Sequence, residues 1–166
     1  QKSEDIRFTK GLYHIIRHGD VVYEMLRIYF EEVFRYKTSD QLEHIKQLLM
    51  AVNVHIAASS LTKHGFALAT AASVSVGTNL NLDIAALAGR ASGGAIILSG
   101  VYGVVQKAAE SAHRLQIQSP AYYSALYAHE LEMMYFLVEP VLERAGAFTH
   151  SESETNIADI ITRMIR

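Results

Sequence analysis

Residues 65 to 106 contain only two charged side chains, Asp83 and Arg90, in a run of 42. A chain this poor in charge must either bury the segment among other elements or cover it with something other than water. The first part, Gly65 to Leu82, is 18 residues long and uncharged. The second, Ile84 to Gln106, is interrupted only by Arg90. Between them Gly77-Thr78-Asn79-Leu80-Asn81-Leu82-Asp83 reads as a turn followed by a helix cap at Asn81 or Asp83. The expectation is an apolar helical hairpin with a polar tip. Gly89 and Gly93, with Ala85 one turn before, give small residues at the spacing that lets helices approach closely. Gly100 and Gly103 extend the same helix. Asp83 and Arg90 would mark the tip and the depth of the hairpin.

The flanks read as helices. Residues 4 to 37 carry Leu12, Ile15, Ile16, Val22, Tyr23, Leu26, Phe30, Val33 and Phe34 at steps of three and four, with Gly19 on the stripe. They form one long helix, or two broken at Gly19 and Asp20. Thr38 followed by Gln41 fits a capping box, and the helix it opens should run to about Ser60. Glu110, His113 and Arg114 close the second hairpin helix. Ser119-Pro120 starts a long helix with Tyr127, Leu131, Met134, Val138 and Val141 on one face, kinked or ended by Pro140 near Glu139 and closed by Gly146. Ser151 and Glu154 make a second capping box, before a helix bearing Ile157, Ile160, Ile161, Met164 and Ile165. With two prolines in 166 residues and no convincing alternation of polar and apolar residues, the fold class expected is all-α. It is a single-domain bundle of five to seven helices over residues 1 to 166, built around the hairpin.

Composition excludes several functions. The chain has no cysteine, which removes disulfides, thiolate metal sites and thiol catalysis. A net charge of −2, with no basic patch carrying interleaved aromatics, argues against nucleic acid as a partner. Phosphate-cradling glycine loops and nucleophile elbows are missing, and no cofactor is expected. The first residues, Gln1-Lys2-Ser3-Glu4-Asp5, lack the apolar core of a secretory signal. A cytoplasmic origin, with export that needs no cleaved signal, is the corresponding expectation. The start at Gln1 without an initiator Met reads as that of a trimmed chain or an excised domain.

Three groups of side chains carry the residue types of catalysis or metal binding. His14 and His18 give His-x-x-x-His on one helical face, but Ile15 stands where a zinc protease needs Glu, and no third ligand is apparent. Glu110 and His113 give one Glu-x-x-His, where a di-iron bundle needs two such motifs and two further glutamates. Glu130, Glu132, Glu139 and Glu143 lie beside His129, with Glu132, Glu139 and Glu143 spaced toward one face. Each has a plainer reading: exposed histidines beside Arg17, an isolated pair, and a solvated acidic face. Neither a catalytic nor a metal residue is assigned.

A helical bundle wrapping a nearly uncharged hairpin, Gly65 to Leu82 and Ile84 to Val105, resembles the pore-forming domains of colicin-type bacterial toxins. It is also similar to small membrane-targeting effectors of contact-dependent bacterial secretion systems, a likeness extended by Gly100 to Val105, Tyr122 to Tyr127 and Leu131 to Leu137. The hairpin is poorer in large aliphatic residues than that of colicins and lies centrally in the chain. The resemblance implies a non-enzymatic, membrane-active toxin or effector whose hairpin enters a bilayer, which needs roughly 20 apolar residues per helix. A membrane, an immunity or adaptor protein, or further copies of the chain would then be the partners. The alternative is a soluble helical interaction or oligomerisation module, with the hairpin as permanent core. An enzyme using His14 and His18, or Glu110 and His113, is a third reading, and it would require bound metal.

Overall fold

The computed structural model describes residues 2–18, 20–58, 61–78, 98–149 and 153–166. Among them the regular structure is helical and no strand occurs. The helices are α1 (Lys2–His18), α2 (Val21–Val33), α3 (Ser39–Ala51), α4 (Lys63–Gly77), α5 (Leu98–Gln118), α6 (Pro120–Ala128), α7 (Glu139–Ala145) and α8 (Glu154–Ile165), with a 3₁₀ segment, Glu132–Leu137, between α6 and α7. The contacts gather into two compact units, Gln1–Met25 with Asn79–Pro140 and Leu26–Thr78 with Val141–Arg166.

The first unit is organised around the 3₁₀ segment, onto which α1, α5 and α6 pack. Met133, Met134 and Tyr135 are buried there, as are Leu131 and Val138 at its ends. A 3₁₀ turn this apolar needs neighbours that come close. α5 supplies Ala108, Ala109, Ser111 and Ala112 as its buried face, with Leu115 behind them. α1 supplies Phe8, Gly11 and Ile15. A Cβ at Gly11 would stand 2.7 Å from Met134 Cγ, so glycine is what admits the methionine here. Tyr122 is buried edge-on to Tyr135, centroids 6.0 Å apart, and its hydroxyl donates to the Met25 carbonyl at 2.8 Å.

The second unit joins α3, α4 and α8. Leu42, Ile45 and Leu49 of α3 and Ile157, Ala158, Ile160, Ile161 and Met164 of α8 are buried faces at helical spacing. Phe30, Phe34 and Phe66 form an aromatic stack, Phe30 and Phe34 at 5.8 Å and Phe34 edge-on to Phe66 at 5.0 Å. Tyr29 is buried, and its hydroxyl donates to the Ala147 carbonyl at 2.8 Å. Burial pushes that phenol far above its ordinary range, which keeps it a neutral donor at neutral pH.

Several boundaries follow the sequence. Thr38 and Gln41 form the expected capping box, with Gln41 N–H donating to Thr38 Oγ1 at 3.2 Å and Thr38 N–H to Gln41 Oε1 at 2.9 Å. The stripe over 4 to 37 resolves into two helices, α1 and α2. Gly146 closes α7 at φ +68°.

Others are corrected. α3 ends at Ala51 and not near Ser60: Asn53 takes φ 62° and Val54 N–H bonds back to the Leu49 carbonyl at 2.9 Å. Val54 and Ile56, read as helical, are buried beyond that end. The long helix expected after Pro120 is three elements. Glu130 adopts φ 58°, and Leu131 N–H bonds to the Leu126 carbonyl at 2.9 Å, which terminates α6. Both ends use a left-handed residue to satisfy carbonyls the helix leaves free. Pro140 then stands in the first turn of α7, where its missing N–H costs nothing, so it helps start a helix and does not end one. α8 is capped by Ser153, whose hydroxyl accepts from Asn156 N–H at 3.2 Å. The cap expected at Ser151 falls outside the described residues.

The apolar segment is described in part. α4 is its first helix, capped by Thr62 and ending at Gly77 with Thr78. Phe66, Ala67, Thr70, Ala71, Val74 and Ser75 are buried, and Thr70 satisfies its hydroxyl on the Phe66 carbonyl at 2.7 Å. Gly100 and Gly103 lie in α5, and a Cβ at Gly103 would meet nothing within 4 Å. The expected tip, with Asp83, Gly89, Arg90 and Gly93, lies outside the described residues. Among the described residues, no helix is long and apolar enough to cross a membrane.

Candidate functional site

Most of the described titratable side chains singled out in the sequence fall into two clefts and two part-buried ion pairs of the first unit. Glu132, Glu139 and Glu143 do not lie on one helix: the chain breaks at Glu130, Glu132 falls in the 3₁₀ segment, and Glu139 and Glu143 are in α7. Glu132 and Glu139 are buried, which corrects the reading of a solvated acidic face for these two. Glu143 is exposed on α7, and Glu130 lies 3.7 Å from Lys10 Nζ.

Glu132, its side chain 3% exposed, is gripped by Arg7 from α1, 19% exposed. Arg7 Nε donates to Glu132 Oε1, and Nη2 donates to Oε2 at 3.0 Å and to the Tyr127 carbonyl at 2.8 Å. The guanidinium also lies over the Tyr127 ring, 3.6 Å from its centroid. The hydrogen bond to Glu132 holds Arg7 above its ordinary value against the opposing cost of burial. Such a two-pronged pair fixes orientation as well as charge.

Glu139 is held by Arg114 of α5, with Nε to Oε2 at 3.0 Å and Nη2 to Oε1 at 2.7 Å. Burial pushes this carboxyl up, but the hydrogen bonds and the charge of Arg114 outweigh it, so it titrates below the ordinary carboxylate range. A carboxyl depressed by folding gives stability that is present above its unfolded value, about 4.3, and lost as pH falls through the folded one. The melting temperature should therefore fall in this acid range, and Glu139→Gln should flatten part of that fall. Thermal melts at stepped pH check this; acid limbs that superimpose for the two proteins would contradict it.

The first cleft, about 250 Å³, is lined by His14 of α1, Asp20, Val21 and Glu24 of the α2 start, and His129 and Leu131 after α6. His129 Nδ1–H donates to the Ala125 carbonyl at 2.9 Å, leaving Nε2 as the nitrogen open to a ligand. The second, about 260 Å³, gathers Glu4 and Asp5 of α1 with Gln106, Ala109, Glu110 and His113 of α5. His113 Nε2 lies 3.1 Å from Glu4 Oε1. The fold thus unites Glu110 and His113 with two carboxylates, and His14 with a second histidine. The side chain of His18 is not among those described.

No family model, curated protein or solved structure matches the chain. The site must stand on its own geometry. Among the described residues, no group of three or more histidines and carboxylates is arranged to hold a metal ion. Both clefts are open, and in the second His113 and Glu4 fasten α5 to α1. The sequence placed Arg114 only at a helix end and did not single out Arg7. Arg7 had one signal: it lies four residues before Gly11 and eight before Ile15, on the face that α1 buries.

Proposed function

We propose that the chain is a non-enzymatic helical interaction module in which the apolar segment serves as lasting core. The observation that carries this reading is α4. A segment free of charge from Gly65 to Gly77 packs as an ordinary half-buried helix, with Phe66, Ala67, Ala71 and Val74 inward and Ala72 and Val76 outward. Its polar residues Thr70 and Ser75 are buried too, which suits a protein core better than lipid. Glu132 and Glu139, the two buried carboxylates, are each committed to an arginine, which suits a structural role. Ile6 and Tyr13, seven residues apart on α1, are both more than half exposed, and offer a protein partner an apolar stripe.

A membrane-active toxin or effector is the second reading. What favours it is the outer face of α4, where Leu68, Ala69, Ala72, Ser73 and Val76 present no charge and Val76 is 86% exposed. Dye release from anionic vesicles separates the two. The module reading expects none from pH 4 to 8, with slow amide exchange over residues 66 to 74 whether or not vesicles are present. Release, together with fast exchange in α4 on adding vesicles, would sink it.

A further inference from the structure

We infer that His64 is a phosphoryl-acceptor site, whose Nε2 takes a phosphoryl group from a donor of the phosphoramidate class. This rests on the geometry around His64 and not on the module reading; a chain that takes up no phosphoryl group would leave that reading standing.

His64 stands in the first turn of α4 and reaches across to α2. Its Nδ1 lies 2.7 Å from Glu31 Oε1. An ionised carboxylate only accepts, so Nδ1 carries the proton and the lone pair of the neutral ring is on Nε2. Glu31 is itself fixed, because Arg27 Nη1, one turn earlier on α2, donates to its Oε2 at 2.7 Å. The side chains of Arg27 and Glu31 are 15% and 33% exposed, and that of His64 is 67% exposed. A ring tied at Nδ1 and two-thirds exposed presents Nε2 to the solvent. All three residues belong to the second unit. Other described histidines are placed differently. His113 meets Glu4 through Nε2, His129 rests Nδ1 on the neutral carbonyl of Ala125, and His44 stands 3.9 Å from Glu154, beyond hydrogen-bond reach.

One open nitrogen is too few to hold a metal ion, but it is what a covalent acceptor needs. Glu31 fixes the tautomer and orientation of the ring and stabilises the positive charge that forms on it, as a carboxylate does behind a reacting imidazole. Nε2 attacks the phosphorus of the donor. The bond from Nε2 to phosphorus forms and the donor's P–N bond breaks. The amine leaves with the protons it already carries and with the electron pair of the broken bond. The ring keeps its Nδ1 proton and becomes cationic against Glu31, so the step needs no oxidant and no further proton. The first turn of α4 holds Lys63 and no acid. The ammonium and the positive end of the helix dipole both favour the dianion that results.

The test treats the full chain with potassium phosphoramidate at neutral pH. Phosphorus NMR follows the uptake, and peptide mapping of the acid-labile, alkali-stable phosphate locates it. His64 should react about ten-fold faster than the exposed His44, His55, His113 and His129, the effect of one charge-assisted hydrogen bond. The phosphate should stand on Nε2 alone. His64→Gln should remove the fast phase of uptake. Glu31 is a positioning residue: Glu31→Gln keeps an acceptor opposite Nδ1 but no charge, and should slow His64 about ten-fold with helicity unchanged. Equal rates at the exposed histidines, a fast phase that survives His64→Gln, or phosphate on Nδ1 of His64 overturn the inference. So does a natural rate in Glu31→Gln. If Glu31→Gln loses its helicity by circular dichroism, the ranking of the histidines in the natural chain and the nitrogen modified decide the matter.

Discussion

Replacing Arg7 by Met is expected to cost the fold about 3–5 kcal/mol, because it leaves the Glu132 carboxylate buried without its partner. The Glu132 side chain is only 3% exposed. Against a total stability of about 5–15 kcal/mol for a domain, that loss is large. The comparison that gives it meaning is Arg7→Met with Glu132→Leu in one chain. Removing both charges removes the stranded carboxylate, and the double variant should recover most of the loss. Urea unfolding of the two single variants and the double one closes the cycle. A cost below about 1 kcal/mol for Arg7→Met would mean that the pair behaves as a surface salt bridge, and that α1 is held by Phe8 and Ile15 alone.

The same pair marks the limit of what the sequence discloses. Thr38 and Gln41 were legible because a capping box is local: both partners lie within one turn. The faces of α1, α3 and α8 were legible because burial repeats at the helical period. Glu130 was not, since nothing in a glutamate advertises a left-handed backbone, and that one residue ends α6. Once it does, the phase of every later side chain changes. Glu132, Glu139 and Glu143, aligned on a continuous helix, are dealt out to a 3₁₀ turn and to α7. Asn53 acts in the same way at the end of α3, where asparagine did offer a hint, because it tolerates the left-handed region better than most residues.

The candidate site was harder still. Glu132 finds Arg7 across 125 residues and Glu139 finds Arg114 across 25. Such pairings follow from which helices become neighbours, and no local pattern announces them. The histidines fared better in kind than in grouping. His14 and His113 do line clefts, but beside Glu24, His129 and Glu4, Asp5, residues that spacing along one helix could not supply.

The second large effect is expected at Phe66, the one bulky side chain by which α4 enters its core. The other buried positions of that helix are alanine, threonine, valine and serine. Phe66 is fully buried, its ring 5.0 Å from Phe34, which in turn stacks on Phe30. Truncation to alanine removes the apolar area and leaves a cavity that Ala67 and Ala71 are too small to fill, a cost of about 3–5 kcal/mol. Phe66→Leu keeps most of the volume and should cost far less. The consequence reaches the apolar segment as a whole. With its anchor gone, α4 has little else to hold a charge-free helix inward, and amide exchange over residues 66 to 74 should accelerate well beyond that of α3. Dye binding to exposed apolar surface should rise with it. Vesicle binding gained by Phe66→Ala, and absent from the natural chain, would mean that a single aromatic side chain keeps the segment in the protein. Exchange in α4 no faster than in the natural chain would show that the segment is held from elsewhere.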